Sequence, residues 1–365
     1  MWRTVGRVSR YAVLAFLAGA AVALSTGSDA SQATPSKRAG TIAFIRLVDG
    51  PAYGGRLFVV RPDGGGLRPL TPRDTTVESY AWSPDGTLIA YIDERFSLWL
   101  VRRDGMGRRV LLPSSRLSSL GLSWSPDGKN IAIVSPGRDA NPARAACSKL
   151  ALYLVPVGGS PISGPEPVLV SASRRGIGCG VAWSPRGGEI AYGDGGELLG
   201  VISSNGGRPR LVLTSGGVGA PQWSPDGTKL AAPTIFRSGG RTDRYRRITV
   251  VNANGSDPHV VTDHAYTEYP FAWSPDSRHI LYGRQDRKGI YMIDADGRNN
   301  HRVTRDAPPQ ALWGALAWSP NGDSIAYTAG GTDNTDLYLI GINGRGKFHL
   351  TATADKDINP SWVAR

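Results

Sequence analysis

Beyond residue 40 the apolar positions fall in short runs, each closed by polar or turn-forming residues. In the stretch 79–112 these runs are Ser79–Trp82, Leu88–Tyr91, Leu98–Val101 and Val110–Leu112. Runs this short, rich in Ile, Val, Tyr and Trp and bounded by Gly and Pro, predict β-strands. Ser83-Pro84-Asp85-Gly86 predicts the first turn, because Pro presets φ early in it and Gly takes the positive φ that follows. Asp104-Gly105 predicts the third-to-fourth hairpin. Asp63-Gly64, Asn205-Gly206, Asn254-Gly255, Asp296-Gly297 and Asn343-Gly344 hold the same place elsewhere, and both residues of such pairs tolerate positive φ. No stretch after residue 30 escapes this punctuation long enough to predict a helix.

The four-strand pattern is a repeat. Trp-Ser-Pro-Asp-Gly or a close variant begins at Trp82, Trp124, Trp183, Trp223, Trp273 and Trp318, with a truncated copy at Pro360-Ser361-Trp362. The Trp spacings are 42, 59, 40, 50, 45 and 44 residues, the period of blade architectures. The second-to-fourth strand pattern occurs seven times, at 41–71, 87–112, 128–170, 189–214, 228–262, 278–304 and 323–351. The first copy lacks a preceding Trp strand, and the last Trp strand, 357–363, lacks a following unit. Pairing the two predicts an all-β, seven-bladed β-propeller over 41–363, closed by the C-terminal strand on the first blade. Such closure removes exposed sheet edges. The repeated Trp side chains are expected to wedge between blades, burying ~150–250 Å² each; carbohydrate stacking is the alternative role.

Composition agrees with this reading and adds an address. Gly 47 and Pro 26 suit many tight turns, and 40% apolar residues supply a core that a disordered chain lacks. Arg3, Arg7 and Arg10 precede an uncharged apolar run, 11–24, and small residues follow around Ala30 and Ala33. This is the pattern of a secretory signal peptide over 1–33, with 34–40 as linker. The run is shorter than the ~20 residues of a spanning helix; an uncleaved N-terminal anchor is the competing reading. The expected location is exported: periplasm, cell envelope or outside the cell. The formal charge of +12 becomes +10 without Arg3, Arg7, Arg10 and Asp29. Outside the cell such a charge points to acidic protein or an anionic envelope polymer rather than nucleic acid. Membrane contact is expected only through an uncleaved N-terminus. An even pair, Cys147 and Cys179, permits a disulfide in an exported chain.

Short uniform turns should share one face of the blades. The second-to-third and inter-blade loops should share the other, where function usually resides. The segments 135–149 and 233–247 are about ten residues longer than their equivalents. Cys147 and Cys179 fall on this face in adjacent blades, which predicts their pairing. Arg174, Arg175, Arg237, Arg241, Arg244, Arg246 and Arg247 make the same sector basic, while Asp333, Asp336, Asp355 and Asp357 make the opposite sector acidic. The chain resembles the TolB-like β-propeller repeat family. Its hallmark Trp-Ser-Pro-Asp-Gly followed by Ile-Ala-(Phe/Tyr) appears in Trp82–Tyr91, Trp183–Tyr192 and Trp318–Tyr327. The resemblance spans 41–363 without the separate α/β domain that precedes the propeller in TolB, which has six blades.

Catalytic signatures are sparse. No Gly-x-Ser-x-Gly elbow, zinc spacing or phosphate loop occurs. Asp263, His264 and Glu268 could form a small polar cluster at a channel mouth, with a structural or solvated role as the alternative. Lyases resembling oligogalacturonate lyase use several His around a metal; here only His264 lies in an inter-blade loop. The resulting expectation is a monomeric, non-catalytic binding scaffold without cofactor or metal. A propeller enzyme of polysaccharide lyase or hydrolase type, with its site at the channel mouth, is the alternative.

Overall fold

The computed structural model describes residues 39–47, 55–114, 121–135, 150–158, 168–171, 180–193, 198–214, 219–235, 246–262, 271–284, 289–305, 316–330 and 334–364. Every regular element among them is a β-strand. Four antiparallel sheets contain four strands each, and a fifth contains twelve. The large sheet is three further four-stranded units joined only through the single pairings Gly55↔Val77 and Thr335↔Lys356. Within six of the units, sheet order follows chain order. The remaining unit combines the two ends of the described chain: the strand Lys356–Val363 pairs antiparallel with Thr41–Leu47, setting Thr41 opposite Val363 and Ile42 opposite Trp362. Gly55–Val60 and Arg68–Pro69 complete it.

Each sheet is covered on both faces, so its middle strands are apolar along their length. Ile89, Ala90, Tyr91 and Ile92 are all buried, as are Ile280, Leu281 and Tyr282. Packing proceeds from unit to unit along the chain, and the last unit packs on the first. Ile42, Phe44, Phe58 and Val60 share one apolar cluster with Ala326, Leu337, Leu339 and Trp362.

The Ser-Pro-Asp-Gly turns are built by side chains. Ser83 Oγ donates to Asp85 Oδ1 at 2.6 Å and accepts the Leu88 backbone N–H at 2.9 Å. Asp85 Oδ1 also accepts the Thr87 N–H, and Gly86 closes the turn at φ 67°. The Ser83 hydroxyl, then the Thr87 amide, hold the Asp85 carboxyl below the ordinary carboxylate range. Ser125/Asp127, Ser224/Asp226 and Ser274/Asp276 repeat the arrangement.

The indoles tie unit to unit. Trp124 Nε1 donates to Ala81 O, Trp223 to Ala182 O, Trp273 to Gln222 O and Trp318 to Ala272 O, at 3.0–3.3 Å. Each acceptor belongs to the residue before the Trp of the preceding unit. Trp82 Nε1 donates to Ser361 O at 3.3 Å by the same rule, linking the second unit to the C-terminal strand. Trp362 instead donates to Ala39 O at 3.0 Å. Gly40, at φ 112°, makes that approach possible, since a Cβ there would lie 2.2 Å from Val363 O.

Candidate functional site

The innermost strands converge on a cavity of about 570 Å³. Its wall is drawn from both ends of the chain: Glu78–Tyr80, Gln222–Trp223, Ala272–Trp273, Leu316–Trp318 and Asn359–Trp362. The repeated Trp residues therefore have two surroundings at once. Trp82, Trp124, Trp223, Trp273, Trp318 and Trp362 are only 7–8% exposed within the packed units, and four of them also border the cavity. Trp183 is half-buried.

Polar groups in the wall are few. Tyr80 Oη donates to Ala43 O at 2.8 Å and also meets Asn359 O, and burial raises its pKa. That contact sits where the C-terminal strand slips register and Asn359 turns to φ 55°. Gln222 Nε2 donates to Phe271 O at 2.9 Å. Ser79 Oγ is buried in the wall without a hydrogen-bond partner. Glu78 is the one charged residue among those lining the cavity. The residue is exposed, yet burial of its carboxyl, then the neighbouring Glu94 charge, push its pKa upward. Sequence reasoning missed Glu78, because it sits one residue into an inner strand whose alternation carries no chemical motif. Among the described residues no group of three His, Cys, Asp or Glu is placed to hold a metal ion.

Most residues singled out from the sequence lie outside the described residues: Cys147, Cys179, Arg174, Arg175, Arg237, Arg241, Arg244, Asp263, His264 and Glu268. Arg246 and Arg247 open the strand Arg246–Asn252, paired with Ile235 and Thr234. Lys229↔Asn252 forms the other end of that ladder, next to the turn at Asp226. The two arginines therefore stand at the end opposite the Ser-Pro-Asp-Gly turns.

The acidic sector needs correction. Asp357 is fully buried, and Arg46 grips it at 2.7 and 2.8 Å from Nε and Nη2. Asp336 is 7% exposed and faces His349 Nε2 at 2.8 Å. Burial raises the Asp357 pKa against the pull of Arg46, while the Asp357 hydrogen bond raises that of Arg46. Two of the four carboxylates are thus spent inside the fold. The partner Arg46 was invisible in a loop-by-loop charge count because it lies in the first strand.

Comparison with known proteins places this architecture. No protein-family model matches the chain. An uncharacterized protein of Agrobacterium fabrum is 26% identical over 68% of this chain and 83% of its own length. The Tol-Pal system protein TolB of Anaeromyxobacter dehalogenans is 31% identical over 25% of this chain, a fifth of that protein's length. The crystal structure of TolB from Acinetobacter baumannii superposes with a TM-score of 0.53 at 17% identity, over 88% of this chain and 66% of that one. The chain has a TolB-like β-propeller fold. An oligogalacturonate lyase in complex with manganese superposes with a TM-score of 0.64 at 15% identity, over 78% of this chain and 82% of that one. The TolB-like fold is thus shared with a named enzyme as well as with TolB.

Proposed function

We propose that this TolB-like propeller is an exported, non-catalytic scaffold that holds a protein or an anionic envelope polymer on its loop face, across the mouth of the central cavity. The observation that carries the reading is the cavity itself: strands from both ends of the chain surround about 570 Å³. Residues 1–33 act as the signal peptide and 34–40 as the linker. Residues 41–363 form seven blades closed by the pairing of the C-terminal strand with the first blade. The antiparallel Ile42↔Trp362 register and the Trp82–Ser361 hydrogen bond support that closure. A Cys147–Cys179 disulfide ties the two basic loops of the face. Arg174, Arg175, Arg237, Arg241, Arg244, Arg246 and Arg247 supply the charge, their planar forks matching carboxylate or phosphate at two points.

The fold shared with oligogalacturonate lyase gives the second reading: a polysaccharide-cleaving enzyme with its site at the channel mouth, near Asp263, His264 and Glu268. One experiment separates them. The exported protein is incubated with polygalacturonate as a model polyanion, with and without divalent metal. Binding without chain cleavage supports the scaffold, and loss of binding in the variant R241S/R244S/R246S/R247S assigns it to the loop face. Release of unsaturated uronate products would establish the lyase reading instead. No binding of polygalacturonate at low salt would remove the polyanion and leave an acidic protein to be tested on the same variant.

A further inference from the structure

The opposite face, made of the turns, is regular in backbone but not in chemistry. Between the third and fourth strands the residue after each Asp-Gly or Asn-Gly pair is Gly65, Met106, Gly207, Ser256, Arg298 or Arg345. Met106 alone is large and apolar, and it stands 63% exposed at the tip of its hairpin. Leu67, 41% exposed, lies in the corresponding turn of the neighbouring unit. The two turns touch: Arg68 Nη2 donates to Arg103 O at 2.8 Å.

Around these two apolar tips the charge is one-sided. Residues 61–68 and 102–110 hold six Arg and two Asp, a formal +4; of the equivalent turns, 203–210 and 341–348 carry +2 each without an exposed apolar tip after the turn pair, and 252–259 and 294–301 sum to −2. Asp63 and Asp104 pair with Arg61 and Arg102. Arg68 and Arg109, both exposed, spend their hydrogen bonds on the neutral carbonyls of Arg103 and Val157 and keep their charge. Arg108 lies 3.9 Å over the Trp99 ring and donates to the Tyr91 hydroxyl.

The start of the described chain is on this same face. Ile42 pairs with Val60, so the turn after Val60 and the residues before Thr41 leave the sheet at one end. The Arg103 N–H donates to Thr87 O, which places the Met106 hairpin beside the Ser83–Gly86 turn at that end too. The preceding sequence carries Lys37 and Arg38.

We propose that the turn face of the first two units is a docking surface for an anionic lipid bilayer. Arginines would bind the headgroup phosphates, and Met106 and Leu67 would insert at the interface. Apolar side chains flanked by basic ones on a protruding edge suit a flat, negatively charged surface, where buried apolar area and lipid charge act together. Binding through these arginines would turn this face toward the membrane. The opposite end of the sheets, where the strand Arg246–Asn252 begins, then points away.

The test is co-sedimentation of the exported protein with vesicles of phosphatidylcholine and phosphatidylglycerol at 3:1, against pure phosphatidylcholine as the baseline. Binding to the anionic vesicles is expected at ~0.05 M salt and should weaken strongly by ~0.3 M. Each basic contact at such a surface is worth roughly fivefold, so R68S/R109S should lower the partition coefficient about twenty-five-fold. M106S/L67S should lower it several-fold, with melting temperature unchanged because both side chains are exposed. R298S on the same face, and R241S/R244S/R246S/R247S on the other, should bind as the unmodified protein does. Absence of an anionic-vesicle preference, equal binding by R68S/R109S, or equal loss in R298S would overturn the proposal. So would binding to polyglutamate that matches vesicle binding and ignores M106S/L67S, which would mark an acidic-protein surface.

Discussion

Two junctions are built from the same parts and end differently: the unit that pairs the chain's two ends, joined to its neighbour through Trp82, and the contact before Trp183. Where the chain's two ends meet, both indoles and the buried carboxylate are engaged, although the nearby Ser79 hydroxyl is not. Trp82 Nε1 reaches Ser361 O, Trp362 Nε1 reaches Ala39 O, and Arg46 holds Asp357 through two hydrogen bonds. At the seam before Trp183, the indole N–H is buried without a partner. There Ser123 stands where most other units carry Ala, and its Oγ accepts the Trp183 backbone N–H at 2.9 Å. The strand is held by its backbone, and the indole loses the carbonyl that its counterparts use. The turn after Trp183 departs as well: Arg186 replaces the turn Asp and donates from Nε to Asp226 O of the next unit at 2.7 Å. A repeat fold thus tolerates a loosened internal seam, where chain connectivity also joins the units, while the seam made from distant ends carries additional bonds.

Removing the closing strand should have the largest effect. A chain ending at residue 357 loses Trp362, the Trp82–Ser361 bond and the outer cover of the Ile42–Phe44 cluster. It also exposes the edge of the first strand. Its thermal transition should be lost or broadened beyond a two-state fit. A melting temperature equal to that of the full chain would show that the closing seam carries no special share of the stability.

A smaller but still large effect should follow from Asp357→Ala. It leaves the half-buried Arg46 guanidinium facing Phe44 and Phe58 without its two-point partner. Breaking a buried ion pair from one side costs about 3–5 kcal/mol, read by denaturant unfolding. Asp357→Asn should cost less and should change the pH dependence. Because the folded-state pKa of Asp357 is raised, mainly by burial, the folded chain binds the extra proton in the window just above the ordinary carboxylate value. Stability contributed by that group therefore falls as pH rises through the window, and Asn removes this slope. The turn aspartates Asp85, Asp127, Asp226 and Asp276, all lowered, act with the opposite sign: their contribution is present above the ordinary value and is lost on acidification below it.

How much of this was legible in the sequence follows from the range of each interaction. The turns were fully legible, because Ser, Asp and Gly act within five residues of one another. The strand Lys356–Val363 was legible as the partner of Thr41–Leu47 because each end of the repeat lacked what the other supplied. Arg46–Asp357, separated by 311 positions, was not; an ion pair between a strand and a segment read as loop has no periodic signature. The cavity carboxylate Glu78 was likewise hidden. The chemistry of the turn face is hidden for a different reason: backbone spacing is equal at Gly65, Met106 and Ser256, while the side chain after the turn pair differs without altering that spacing.

The smallest expected effect tests the comparison most directly. Trp124→Phe removes an indole N–H that donates to Ala81 O at 3.1 Å, leaving that carbonyl short of one bond. Trp183→Phe removes an indole N–H that has no partner. Both substitutions delete the same atoms, but Trp124 is buried and Trp183 only half-buried, so the packing loss is also larger at Trp124. To this is added one net hydrogen bond, about 0.5–1.5 kcal/mol, together with the relief of leaving no buried N–H unsatisfied at 183. Trp124→Phe should therefore be the more destabilising of the two by about 1–2 kcal/mol. Restoring the rule from the other side, Ser123→Ala should free the Trp183 backbone from the hydroxyl. In that background Trp183→Phe should approach the cost of Trp124→Phe. Equal losses at the two tryptophans in the natural sequence would mean that the orphaned indole finds a partner in solution, and the two seams would then be equivalent.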